Sequence, residues 1–274
     1  MKVYRVGAGL AVVETDGWWA IEPFSFDDLF RAARPISWLG EQMASARRTA
    51  ALSFDSPLLP PLESQEVWAA GVTYLRSREA RREESRGAAS FYDQVYEAER
   101  PELFFKATPS RAVGHLGPVG IRSDSTWSVP EPELTVAVSS SGRVFGFTIG
   151  NDMSSRSIEG ENPLYLPQAK VYQRSSALGP CLLLAEEALP PETEIALEVL
   201  RDGKVVVAGA VALSRMKRSL PELVGFLFRD NLFPWGCYLM TGTGVVPPAD
   251  FTLRQGDRIS ITIGPIGTLV NTVG

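Results

Sequence analysis

The segment from Val129 to Asp152 constrains this chain more than any other. Val129-Pro-Glu-Pro-Glu-Leu-Thr-Val-Ala-Val138 has the composition of an extended strand, Ser139-Ser-Ser-Gly142 that of a turn, and Arg143-Val-Phe-Gly-Phe-Thr-Ile149 that of a returning strand. Residues two apart on a strand point to the same face, about 7 Å apart along it, so Glu131 and Glu133 face one way. A turn centred near Ser140 and Ser141 brings residues 150 to 152 back beside Glu131, and Asp152 arrives at the pair. Three carboxylates that close repel one another unless a cation or a shared proton compensates. Oxygen-only ligation, with no His or Cys nearby, suits a hard ion such as Mg2+, Mn2+ or Ca2+ and argues against structural zinc. Three ligands also leave coordination positions open for a substrate oxygen or a water. The plain rival, solvated acids on an exposed strand, is still open at this point.

The 274 residues suffice for one large domain or two small ones. A formal charge of −5 without a basic block excludes nucleic acid as the expected partner, while leaving small anions open. The apolar runs are far too short to span a membrane, and the amino terminus has no basic-then-apolar signal pattern, so the expected location is cytoplasmic. Cys181 and Cys237 sit in apolar, strand-like surroundings and read as buried free thiols. His115 is the single histidine, in a turn-rich stretch, and reads as a surface or structural residue.

Met1-Lys-Val-Tyr-Arg-Val and Leu10-Ala-Val-Val predict short strands, and Phe26-Asp-Asp-Leu-Phe-Arg-Ala-Ala predicts a helix. Ser56-Pro-Leu-Leu-Pro-Pro61 breaks regular structure, which divides the chain into residues 1–62 and 63–274. A strand at Val67–Gly71 precedes a charged run from Arg76 to Arg100, expected to form one or two helices with a joint near Gly87. From Pro101 onward strands dominate: Leu103–Lys106, the hairpin, Ile195–Val207 with its Arg-Asp-Gly-Lys turn, and a final pair within 257–273. One helix is expected among them, capped by Ser219 with Pro221 in its first turn. The whole is α+β and β-rich.

Several motifs in order then resemble the fumarylacetoacetate hydrolase superfamily: Glu131-Pro-Glu-Leu, Gly150-Asn-Asp-Met-Ser-Ser-Arg156, Lys170, Gly179-Pro180, Thr241-Gly-Thr243 and Gly256-Asp257. The resemblance covers about residues 66 to 274. It implies a mixed β-roll carrying a small N-terminal α/β domain, Mg2+ held by Glu131, Glu133 and Asp152, and a homodimer or homotetramer. Hydrolytic members carry Gly-x-Asn-Tyr-x-x-His-x-x-Glu, whose His and Glu activate water. Here Ser77 stands at the His position and Ala80 at the Glu position. A serine is no base near neutral pH unaided, so His-dependent carbon–carbon hydrolysis is not expected.

The variant wording is similar to the dehydratase branch acting on 2-keto-3-deoxy-D-arabinonate: Gly71-Val-Thr-Tyr-Leu-Arg-Ser, Tyr96-Glu-Ala-Glu-Arg-Pro-Glu-Leu-Phe-Phe-Lys106, Asp124-Ser-Thr-Trp and Val129-Pro-Glu-Pro-Glu-Leu134. That likeness implies Glu102 and Lys170 as the groups near the substrate's reacting carbons. It implies Gly242 and Thr243 as holders of the substrate carboxylate, and Arg76 and Ser77 on a mobile segment closing over the pocket. The small oxo acid would be dehydrated by one acid and one base without hydrolytic water. A Mg2+-dependent hydrolase or decarboxylase of acylpyruvate-like oxo acids is the runner-up, and an inactive scaffold a third reading. Arg156 is expected to pair with a neighbouring acid.

Overall fold

The computed structural model describes residues 1–77 and 89–274. Much of the charged run from Arg76 to Arg100, with the joint expected near Gly87 and the motif position Ala80, lies outside the described residues. The expected hairpin forms: Pro132–Val138 and Val144–Asp152 pair antiparallel, with Glu133 opposite Gly150 and Pro132 opposite Asn151. The Asp152 amide donates to the Glu131 carbonyl at 3.0 Å, which fixes the register at the acidic end. Gly142, at φ 78°, closes the turn in a conformation that side chains disfavour.

This hairpin lies in a large mixed sheet. Its strands run in the order Arg47–Arg48, Trp18–Ile21, Leu10–Glu14, Lys2–Gly7, Ser176–Leu184, Val144–Asp152, Pro132–Val138, Cys237–Met240, Glu66–Gly71, Glu102–Ala107. Along this path every pair is antiparallel except Cys237–Met240 with Glu66–Gly71. A five-stranded sheet, ordered Lys204–Ala212, Glu194–Arg201, Arg258–Ile263, Gly267–Val273, Pro118–Val119, packs against it. Leu134, Val136 and Val138 point into the core shared with Ile195, Leu197, Ile259 and Ile261. Ala137 points the other way, into a core with Phe30, Leu39, Phe145 and Tyr238. By the two-residue period, Glu131 and Glu133 project from that same second face. Both faces of the hairpin are therefore covered, which is why its strands read as near-continuous apolar runs.

The N-terminal strands do not stand apart. Lys2–Gly7 pairs with Ser176–Leu184, Lys2 opposite Leu183, and Phe30 packs edge-on to Phe145 at 4.8 Å and to Tyr238 at 5.1 Å. We propose residues 1–62 as a unit of sequence whose strands extend the sheet of residues 63–274. The helix Leu220–Leu227 has the expected Ser219 cap, closed into a capping box by Glu222. Two further short helices, Arg156–Glu161 and Leu166–Lys170, interrupt the strand-rich region where one helix was expected. Elements of five or six residues are too short for an apolar period to register. Cys181 and Cys237 are buried and free, and burial pushes the Cys181 thiol up to about 12.

His115 is structural rather than superficial, only 4% exposed. The Val270 amide donates to its Nδ1 at 3.2 Å, so Nε2 carries the proton and donates to the Phe54 carbonyl at 3.1 Å. The neutral ring thus satisfies both neighbours. Burial lowers its pKa, with the Phe54 carbonyl opposing and Arg258 adding to the shift. A folded-state pKa below the unfolded value of about 6.5 contributes stability above that pH, lost as pH falls. Replacing His115 by Gln should therefore flatten the loss of Tm between about pH 7.5 and 5.5, while turnover at neutral pH stays within a few-fold. Equal acid-side slopes in calorimetric melts of the two proteins would contradict this account.

Candidate metal centre

Glu131, Glu133 and Asp152 each offer an oxygen, and these three atoms all lie within 4.8 Å of one another. The residues are 4%, 1% and 1% exposed, so the reading of solvated acids is set aside. Burial is the largest reason why the Glu133 carboxyl is pushed well above the usual range, followed by repulsion from Asp152 and Glu131. Lys170 and the Gly242 amide act in the opposite direction.

Cations hold this cluster from three sides. Lys170 ends the short helix Leu166–Lys170, and its Nζ lies 3.0 Å from both Glu131 Oε2 and Asp152 Oδ2 and donates to Ser154 Oγ at 2.6 Å. Lys106, wholly buried, reaches Asp152 Oδ1 at 2.6 Å and donates to the carbonyls of Met153, at 2.9 Å, and Lys170. Burial lowers the Lys106 pKa, and the attraction of Asp152 works against that. Arg156 places Nη2 2.9 Å from Glu131 Oε1 and Nη1 3.4 Å from Glu159 Oε2, so it pairs with acids as expected.

The fourth hold is a backbone amide. Gly242 N–H donates to Glu133 Oε2 at 2.6 Å. Gly242 has φ +94°, and a Cβ there would meet Thr73 Oγ1 at 2.0 Å, so only glycine fits. Thr73 in turn donates to the Thr241 carbonyl at 2.7 Å, tying this turn to the chain after Gly71.

A pocket opens on the cluster, lined by Glu102, Glu131, Asp152, Glu159, Lys170 and Thr243 among others. Glu102 lies over Gly71, its cross-strand partner: a Cβ on Gly71 would sit 2.1 Å from Glu102 Oε2. The structure therefore brings Glu131, Glu133, Asp152, Lys170, Glu102, Gly242, Thr243 and Ser77 to one place. Ser77 donates to the Tyr74 carbonyl at 2.8 Å, and Thr243 Oγ1 to the Val245 carbonyl at 3.1 Å. The Gly242 amide, expected to meet a substrate carboxylate, donates here to Glu133. Arg76 is exposed and lines a separate cavity with Tyr74, Leu75, Val211, Arg215 and Gly244.

Lys106 and Glu159 were not foreseen. Glu102 and Phe104 share one face of their strand by the two-residue period, but the ladder with Glu66–Gly71 shifts register at Lys106, so that period alone does not place it. Glu159 follows Arg156 by three positions on a helix of only six residues, where no periodic pattern could mark it. Among the described residues the site holds five carboxylates, of Glu102, Glu131, Glu133, Asp152 and Glu159, against the cations of Lys106, Arg156 and Lys170. The donor set, oxygen-only and buried, fits a hard divalent ion.

Residues 66–274 match the family described as Fumarylacetoacetate (FAA) hydrolase C-terminal. The chain is 51% identical over 214 residues to a probable 2-keto-3-deoxyxylonate dehydratase of Haloferax volcanii, covering 78% of this chain and 73% of that protein. It is 43% identical over 223 residues to the 2-dehydro-3-deoxy-D-arabinonate dehydratase of Saccharolobus solfataricus, covering 80% and 75%. A solved 2-keto-3-deoxy-D-arabinonate dehydratase complexed with magnesium and 2,5-dioxopentanoate superposes with TM-score 0.87 at 34% identity, over 100% of this chain and 98% of that one.

The raised Glu133 pKa yields a test of opposite signs. Without metal, an ionised Glu133 destabilises the fold, and the penalty grows as pH rises above the unfolded value of about 4.5. Replacing Glu133 by Gln should raise the stability of the metal-free protein at neutral pH. The gain should fade toward pH 4.5, and the same variant should bind divalent ions at least about tenfold more weakly. Denaturant melts and calorimetric titrations check both; a variant less stable than wild type when metal-free refutes the electrostatic account.

Proposed function

The chain belongs to the fumarylacetoacetate hydrolase family, and on that premise we propose that it is a Mg2+-dependent hydro-lyase dehydrating a 2-keto-3-deoxy sugar acid, such as 2-keto-3-deoxy-D-arabinonate, to a 2,5-dioxo acid. The observation that carries this is the composition of the pocket. It joins a buried three-carboxylate cluster, a lysine bridging two of those carboxylates and a further glutamate, with no imidazole. The single histidine, His115, lines a different cavity with Tyr4, Trp18 and Phe54. Ser77, in the position of the hydrolytic histidine, lines this one. Proton transfer is what these residues can perform; activation of water by imidazole is not.

Glu131, Glu133 and Asp152 would hold Mg2+, which supplies a Lewis acid for the keto-acid end of the substrate. Loss of a C3 proton and of the C4 hydroxyl, protonated as it leaves, expels one water. The unsaturated alcohol that remains rearranges to the 2,5-dioxo acid. Lys170 and Glu102 are the pocket groups that move these two protons. Lys170 is oriented by Glu131, Asp152 and Ser154. Gly71 makes room for the Glu102 carboxylate beside the opening. Thr243 and Ser77 offer hydroxyls on the pocket wall for the substrate's polar groups. Burial of the whole set strengthens each charge interaction with the bound acid.

The same reading includes assembly as a homodimer or homotetramer and a cytoplasmic location. No helix among the described residues is long and apolar enough to cross a membrane. Sedimentation equilibrium measures the assembly.

Incubating the protein with Mg2+ and a panel of 2-keto-3-deoxy sugar acids and acylpyruvates, with NMR of the products, tests the chemistry. A 2,5-dioxo acid should form, stop with EDTA and resume with Mg2+ or Mn2+. Lys170→Ala should lose about 100-fold or more in kcat, the scale of a positioned acid–base group. Pyruvate released from acylpyruvates, with sugar acids untouched, would replace the lyase by the hydrolase.

A further inference from the structure

Each carboxylate of the cluster has one oxygen met by a group from elsewhere in the fold, an ion-pair contact at Glu131 and at Asp152 and a hydrogen bond at Glu133. Arg156 Nη2 holds Glu131 Oε1 at 2.9 Å, the Gly242 amide holds Glu133 Oε2 at 2.6 Å, and Lys106 Nζ holds Asp152 Oδ1 at 2.6 Å. The oxygens that remain are Glu131 Oε2, Glu133 Oε1 and Asp152 Oδ2, the first and last of them in contact with Lys170. The three holding groups come from three separate segments of chain. None of them is mobile by construction: Lys106 is 0% exposed, Arg156 is 2% exposed, and the third is backbone with no room for a side chain.

From this geometry we propose that Lys106 and Arg156 are positioning residues that, with the Gly242 amide, restrict every carboxylate to one ligand oxygen and so select a small octahedral ion over Ca2+. The inference rests on the metal reading of the cluster and adds a cause for ion choice. Mg2+ takes six oxygens in near-octahedral order and is content with single oxygens from each carboxylate. Ca2+ takes six to eight and gains most from carboxylates that offer both oxygens. A carboxylate whose second oxygen is bound by a buried lysine must break that ion pair before it becomes bidentate. The penalty falls on Ca2+ and spares Mg2+ and Mn2+.

The test is calorimetric titration of the purified protein with Mg2+, Mn2+ and Ca2+, in wild type and in Lys106→Met. Removing a positive charge draws every divalent ion more strongly and alike, so the ratio of Ca2+ to Mg2+ affinity isolates the geometry from the charge. That ratio should move toward Ca2+ by about tenfold or more, the lower end of what outer groups around a metal contribute. Lys106→Arg, which keeps a charged donor at this position, should move it less. If Lys106→Met does not fold, Arg156→Met tests the same restriction at Glu131 and should shift the ratio in the same direction. A ratio within about twofold of wild type in the folded variant overturns the selectivity role while leaving the metal site intact. Absence of any divalent binding in wild type overturns the metal reading itself, and this inference with it.

Discussion

Three carboxylates taken out of water at one point are the constraint around which this molecule is built. Ionised acids at such distances in a low-dielectric interior repel strongly, and desolvation adds to the repulsion. The fold answers with compensation from every side. Lysines come from the strand Glu102–Ala107 and from the end of the helix Leu166–Lys170, an arginine from the start of the helix Arg156–Glu161, and an amide from the turn after Cys237–Met240. The register of the hairpin, the glycine at 242 and the burial of Lys106 follow from the same requirement. Breaking one partner leaves a buried charge uncompensated, which is far more damaging than losing a surface ion pair.

How much of this was legible in the sequence depended on distance along the chain. The Glu131, Glu133 and Asp152 cluster was readable because one hairpin builds it. Strand period and turn position are local quantities, and the Asp152 amide to Glu131 carbonyl bond at 3.0 Å lies where they put it. The Ser219 capping box and the two-residue turn at Asp202 and Gly203, with φ of 51° and 74°, were readable for the same reason. Lys106 was not singled out, because its partner Asp152 lies on a strand that is not its neighbour in the sheet. Arg156 was expected to meet an acid, but which acid depended on how a six-residue helix is seated. The likeness of motif implies the Gly242 amide as a holder of substrate, and that the same N–H meets Glu133 depends on the assembled sheet. Arg76 was placed on the pocket by likeness of motif, and its side chain lines another cavity here.

The site also separates orientation from reaction. Lys106, Arg156 and Gly242 each contact one oxygen of a different acid, while Lys170 contacts the other oxygen of Glu131 and of Asp152 and Glu102 stands on the wall. A lysine buried without solvent access and bonded to two carbonyls is poorly placed to exchange protons with a substrate. Lys170, on the lining of the pocket, is well placed. Two residues of one type thus have unlike duties, set by what surrounds each amine.

The order of strands in the large sheet carries a consequence for synthesis of the chain. Glu66–Gly71 lies beside Cys237–Met240, and Lys2–Gly7 beside Ser176–Leu184, so its central ladders join segments made far apart in time. The hairpin with its acids leaves the ribosome well before Lys170, and Gly242 follows later still. Until then the nascent protein carries Glu133 without the Lys170 amine and the Gly242 amide that later meet it, and the edge meant for Cys237–Met240 is open. Topology of this kind slows folding and exposes unpaired strand edges meanwhile. The charge that later grips an ion serves, during that interval, as a deterrent to pairing with the wrong strand.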